Sequence, residues 1–255
     1  MNVSLLIELT KRDFTERFSG SILGVGWSII WPLVSIFIYT VIFSKIMAAR
    51  LPGNGGAFSY GIYLVAGLVP WTAFSNTVLR SATIYLDKKH IISKINISLI
   101  RLPLFIVLSE SITFLITMGF FFIFLLIIGA SFTKLLIYLP FIYIAQQIFA
   151  FALGFFIAMF TVFIRDLKEV TGIVLQLWFW FTPIVYISSI LPEVVKKLLI
   201  YNPAYLFIHG YQNIFVYQKP PELSSLIALV ILGHLILLIA FLFYRILEKD
   251  IRDFV

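Results

Sequence analysis

The chain reads as six long apolar runs, at about 27–47, 60–84, 103–128, 135–163, 172–190 and 223–244, parted by short polar stretches. Each run reaches the roughly 17–25 residues that a helix needs to cross a hydrocarbon core about 30 Å thick. None alternates at period two in blocks of about ten, which removes an outer-membrane barrel. The pattern predicts an all-α integral membrane protein with six transmembrane helices, folded as one unit over residues 1–255. Ahead of the first run, Val3, Ile7, Phe14 and Phe18 recur at helical spacing. Residues 3–19 are therefore expected to form an amphipathic interface helix with that face among the lipid head groups. Gly20 and Gly24 would permit the change of direction into the first span. Residues 191–222 hold apolar pieces of only about 10–14 residues, too short to cross. They predict short re-entrant or surface-lying helices on the outer side, with Asn202-Pro203 ending one and opening the next.

Composition agrees, with 61% hydrophobic and 12% charged residues and a mean hydropathy of +1.05, outside the range of soluble domains. The opening "MNVSLLIELTKRDFTERF" carries charges throughout and lacks the apolar block of a cleavable signal, so the N-terminus is expected to stay in the cytoplasm. With that orientation 13 of the 19 Lys and Arg residues fall on the inner side, many of them in "YLDKKHIISKINISLIR" and "RDLKEV". The positive-inside bias then places both termini in the cytoplasm. The net charge of +7 sits beside apolar runs, where anionic lipid head groups are a simpler partner than nucleic acid. Cysteine is absent, which excludes disulfides and thiolate chemistry.

Catalytic chemistry has little to work with. No Gly-Lys pair occurs, so the phosphate-cradling GxxxxGK[ST] loop is missing and the chain is not expected to hydrolyse ATP alone. His90, His209 and His234 are scattered, leaving no basis for a metal site. The cytoplasmic acids are interleaved with Lys and Arg, a pattern of ion pairs on helix surfaces rather than an acid-base pair. Glu110, inside the third run, is the exception. An unpaired charge at mid-span costs about 2.5–3.5 kcal/mol on insertion scales, so Glu110 should face other helices or carry a proton. Arg80 is a candidate partner, and a structural bond to Ser or Thr hydroxyls competes with a role in transport. Aromatic residues make up 17% of the chain. "WFWFTPIVY" (178–186) gathers rings around the kink-prone Pro183, and Trp31, Phe37, Tyr39 and Phe43 line up along the first run. Such faces can accept the C–H faces of sugars, although for any one ring packing or lipid contact is the first reading.

"RDFTERFSGSILGVGWSIIWPL" (12–33) and "RDLKEVTGIVLQLWFWFTPIVY" (165–186), followed by Asn202-Pro203, resemble the two signature blocks of ABC-2 type permeases that export polysaccharides. The likeness is closest to the transmembrane subunit of O-antigen exporters. Phe18-Ser19 and "NISLIR" depart from the family pattern. The resemblance implies a homodimer in the inner membrane that moves a lipid-linked polysaccharide. It also implies two copies of a separate ATPase subunit that binds ATP and Mg, with no cofactor or catalytic residue in this chain. It places ATPase contacts on the helix at 3–19 (Glu8, Arg12, Asp13), on a coupling helix within 86–101 (Asp87, Lys88, Lys89, His90, Lys94) and at Arg165-Asp166. Trp31, Phe37, Tyr39, Phe43, Trp178, Trp180 and Tyr186 would face the pathway, with Glu110, Arg80, Pro183, Asn202 and Pro203 structural. An exporter of capsule, teichoic acid, small lipids or drugs is the alternative, and a membrane glycan transferase a more distant one.

Overall fold

The computed structural model describes residues 3–17, 20–46, 58–94 and 97–254. Phe18 and most of the Gly-rich stretch 48–59 lie outside these residues, as do the side chains of Val3 and Phe43. All regular structure among the described residues is helical. Helix α1 (Val3–Glu16) leads through Gly20 and Gly24, at φ +84° and +49°, into α2 (Trp27–Phe37), which widens into π-helical turns over Ile38–Ile46. Both glycines adopt left-handed backbone that a side chain would strain, and this is where the path turns. There follow α3 (Ser59–Ala82), α4 (Ile84–Asp87), α5 (Lys89–Ile92), α6 (Leu104–Ile127), α7 (Leu139–Thr161), α8 (Leu167–Trp180), α9 (Glu193–Leu198), α10 (Pro203–Gln212) and α11 (Leu223–Phe254).

Among the described residues, four segments are long and apolar enough to cross a membrane: Ser59–Ala82, Leu99–Ile127, Lys134–Thr161 and Leu223–Phe254. The first and fifth apolar runs form shorter helices. The fifth differs from the expected 172–190, since α8 starts at Leu167 and stops at Trp180, where Thr182-Pro183 leaves helical geometry. The segment 86–101 is divided into the single turns α4 and α5 and a 3-10 turn at Leu99–Arg101, not one helix. Nothing breaks the last helix at 244, and α11 continues to Phe254.

Helix α3 is the hub, packed against α6, α7, α8, α10 and the π-helical turns. Its approach to α7 depends on Gly154, where an added Cβ would come within 2.5 Å of Ser81 Cβ. Small residues at such crossings let backbones close up where lipid supplies no hydrophobic drive. Phe74 of α3 centres the core, stacked on Phe149 with centroids 5.7 Å apart and tilted against Phe207 at 5.3 Å. Asn202 caps α10 by accepting from the Ala204 N–H at 3.0 Å, and Phe207, Ile208 and Tyr211 are fully buried, so α10 is inserted into the core rather than laid on a surface. A second cluster, with Leu99, Leu102, Phe105, Met159 and Ile251, closes the opposite end. Helix α1 docks through Leu9, Thr10 and Asp13, all buried, a different face from the one that carries Ile7, which is 59% exposed.

Candidate functional site: a polar cleft on helix α3

One face of α3 carries Leu68, Thr72, Ser75, Asn76 and Leu79, at spacings that stack along a helix. Two cavities flank it. One of about 390 Å³ opens between α2, α3 and α6 and is lined by Trp31, Ser35, Tyr39, Thr72, Asn76 and Thr113 among others. The other, about 260 Å³, lies between α3 and α8 beside Trp71, Ser75, Asn76, Gly172, Gln176 and Phe179. Asn76 lines both, standing between them, and the two together make up the cleft on α3. Thr72 and Ser75 donate back to the carbonyls of Leu68 and Thr72 at 2.8 and 3.3 Å, which leaves each hydroxyl oxygen free to accept.

The floor of the larger cavity is an ion-pair network built from three elements. Glu110 of α6, 1% exposed, receives Arg80 Nη1 of α3 at 2.5 Å and Arg17 Nη2 at 2.8 Å on the same Oε1. Asn76 Nδ2 reaches its other oxygen at 3.5 Å. Arg80 Nη2 also donates to both oxygens of Asp13 of α1, at 2.6 and 2.7 Å, and Arg17 donates to Ser109 and Thr113. Two arginines and two carboxylates leave the cluster neutral. A buried pair contributes little net stability, but taking one member away leaves its partner's charge uncompensated. The network thus fixes the angle at which α1 meets α3 and α6.

At the far end of α8 the backbone is irregular, and side chains of α3 and α10 satisfy it. Tyr63 Oη shares its one proton between the carbonyls of Pro183 and Tyr186, at 2.9 and 2.8 Å, while Tyr60 Oη donates to that of Val185 at 2.6 Å and Gln212 Nε2 to that of Pro183 at 3.1 Å. Such non-helical backbone is tolerated away from water when protein groups cover it.

The proposed pathway rings separate on this geometry. Trp31 and Tyr39 line the cleft. Phe37 is 57% exposed on α2 and does not line it. Trp178 is half-buried and packs against the core residues Trp71, Phe74 and Phe149, with its Nε1 donating to Asn202 Oδ1 at 2.7 Å, while it borders an apolar groove between α7 and α8. Trp180 is exposed at the end of α8, and Tyr186 donates to its carbonyl at 2.9 Å. Pro183 is held in the break, and Asn202 with Pro203 opens α10.

Of the residues expected to meet an ATPase, Asp13 is turned inward to Arg80 because it is the counter-charge of a buried guanidinium. Glu8, Arg12, Asp87, Lys89, His90, Lys94, Arg165 and Asp166 are exposed. Arg12 pairs with Glu16, and that hydrogen bond holds the Glu16 carboxyl below the usual carboxylate range. Lys88 Nζ meets the other Glu16 oxygen at 3.3 Å. Sequence reasoning missed Arg17, Thr72, Ser75, Asn76 and Gln176 as site residues. Thr72, Ser75 and Asn76 had a signal, a polar stripe leading to Arg80 within a largely apolar run, whereas Arg17 and Gln176 had none.

The family model for ABC-2 type transporters matches residues 4–216. An O-antigen export system permease protein RfbA of Klebsiella pneumoniae is 30% identical over 213 residues, covering 83% of this chain and 80% of that protein. A protein of the same name from Myxococcus xanthus is 27% identical over 239 residues, with 91% and 88% covered. With most of its length matched, this all-helical chain belongs to the ABC-2 type transporter family, as a membrane permease homologous to the O-antigen export permeases.

Proposed function

We propose that the chain is the transmembrane half of an ATP-driven exporter that carries a lipid-linked polysaccharide across the inner membrane. It works as a homodimer, with two copies of a separate ATPase subunit binding ATP and Mg. The observation that carries this reading is the cleft on α3. Thr72, Ser75, Asn76 and Gln176 sit where a lipid-facing helix would be apolar, and polar side chains in a span normally face protein or a water-filled path. Hydroxyls and amides beside the rings of Trp31 and Tyr39 suit a polymer of sugars, whose hydroxyls exchange hydrogen bonds while its C–H faces rest on aromatic surface. Many weak contacts also suit movement, since conduction demands binding that is readily released.

In this reading the six runs are six spans, α8 and α2 being the short ones, and both termini are cytoplasmic. ATPase motion enters through α1 (Glu8, Arg12) and through Asp87, Lys88, Lys89, His90 and Lys94, with Arg165-Asp166 as a further contact. The Arg17–Glu110–Arg80–Asp13 network passes displacement of α1 to the helices that line the cleft. The short helices α9 and α10 stand near the outer mouth. RfbA permeases, by their name, export O-antigen, and the same cargo class is proposed here.

Vesicles holding the permease and its ATPase, loaded with lipid-linked glycan, test the proposal. Glycan should move only with ATP. The double variant Thr72→Val and Ser75→Ala should slow movement roughly three- to tenfold, the range of one neutral hydrogen bond, with the complex still assembled. Movement by the permease alone, or formation of glycosidic bonds, would overturn the assignment. Movement of lipids or drugs without glycan would replace the cargo.

A further inference from the structure

Helix α11 runs ten residues beyond the 244 at which the apolar run ends. An inward stripe on this extension, Tyr244, Ile251 and Arg252, continues the spacing of the helix into the cluster that holds Leu99 and Leu102. Arg252 Nη2 donates to the backbone carbonyl of Ile97 at 2.7 Å and is backed by Glu248 Oε1 at 3.4 Å. Ile251 is fully buried, as Ile97 nearly is, in the same cluster. One turn on, the ring of Phe254 meets Phe163 edge to face, with centroids 5.2 Å apart, two residues ahead of Arg165.

The segment between α3 and α6 is thereby held at both of its ends. Its first half is tied to α1 by Lys88 and Glu16, and Tyr85 Oη bridges to the Leu99 carbonyl at 3.0 Å. Its second half has no long helix of its own, and the Ile97 carbonyl lies outside regular structure. That carbonyl needs a donor from elsewhere, and Arg252 supplies one with a full charge.

We infer that the last turn of α11 is a positioning element. Arg252 sets the loop at 97–101 and Phe254 sets the 162–166 turn, so that both present one surface to the ATPase. Arg252 touches no cargo and no nucleotide; it acts through the Ile97 carbonyl. The inference rests on the proposed ATPase partnership but not on the identity of the cargo. Without the staple, the spans stay packed through α7 while the loop tilts away from its docking pose. The extension thus has a use that crossing the membrane does not supply.

The test is binding of the partner ATPase to full-length permease in membrane vesicles, measured without glycan. Arg252→Ala should weaken binding about tenfold, the lower range for a hydrogen bond to a charged group that is partly exposed. Permease abundance and unfolding temperature should stay at wild-type values. Arg252→Lys, which can still offer a charged donor to the carbonyl, should recover part of the loss, and Phe254→Ala should weaken binding to a smaller extent. Wild-type affinity in Arg252→Ala overturns the inference. Should that variant fail to accumulate, Arg252→Lys and Phe254→Ala decide: wild-type affinity in both overturns it equally. A wild-type complex that binds ATPase yet moves no glycan would strike the cargo assignment alone.

Discussion

A carboxylate inside an apolar helix is tolerated when neighbouring helices bring it cations, and Glu110 receives two. Arg80 could be named from sequence because it stands 30 residues away in the adjoining run, near the same end of its helix. Arg17 could not, since it reaches Glu110 across 93 residues and its local pattern is that of a charged surface helix. Asp13 was hidden for the same reason: in sequence it is one of several acids interleaved with Lys11, Arg12 and Arg17, and only the docking of α1 shows that it neutralises Arg80. Glu110→Ala should therefore lower stability by about 2–3 kcal/mol. That is less than the roughly 3–5 kcal/mol for a fully enclosed pair, because Arg17 and Arg80 keep 24% and 29% exposure and can be partly rehydrated. Glu110→Gln, which retains an acceptor for one guanidinium, should lose less. Thermal unfolding in detergent measures both, and an unchanged midpoint for Glu110→Ala would remove the network from the account of how α1 is held.

At the scale of elements, helical class and most long helices were legible because apolar runs of sufficient length have few other structures available to them. The end of α8 was legible only as a kink at Pro183 within a run carried on to 190. "WFWFTPIVY" stays apolar past the point where the helix stops, and hydropathy does not register a backbone break that Tyr60, Tyr63 and Gln212 satisfy from other helices. The same blindness merged the two tryptophans into one role. Trp178 fills space among Trp71, Phe74 and Phe149 and bonds Asn202, while Trp180 is exposed two residues later, on another face of the helix. Trp178→Ala should cost about 2–3 kcal/mol, below the roughly 3–5 of a fully enclosed aromatic because one side of the ring borders the groove, whereas Trp180→Ala should shift stability by less than about 1 kcal/mol. Unfolding midpoints measured ahead of any export assay separate the two. Equal and small shifts would mean that Trp178 is not the packing residue its surroundings describe.

For the whole molecule, the question is what covers the open side of the cleft. Exposed apolar residues on α2 and α8, such as Trp31, Phe37, Ile173 and Leu177, do not by themselves demand a protein neighbour, because lipid accepts them. The polar groups between these helices favour one, since Thr72 and Asn76 keep hydrogen-bonding capacity beyond their bonds to the Leu68 carbonyl and Glu110, and Gln176 adds an amide that hydrocarbon would not meet. A second copy related by a two-fold axis beside α2 and α8 would close two clefts into one path at no cost in new sequence. The absence of native cysteine makes this directly testable. Leu177→Cys, on the exposed face of α8, should form a disulfide-linked dimer in oxidised membranes or react with a short bifunctional thiol linker, since a disulfide requires Cα atoms within about 7 Å. Leu235→Cys, equally exposed on α11, which packs chiefly on α7, should remain monomeric under the same treatment. Cross-linking at Leu235 but not at Leu177 would put the partner on the opposite side, leaving the cleft open to lipid and the pathway to be sought elsewhere in the fold.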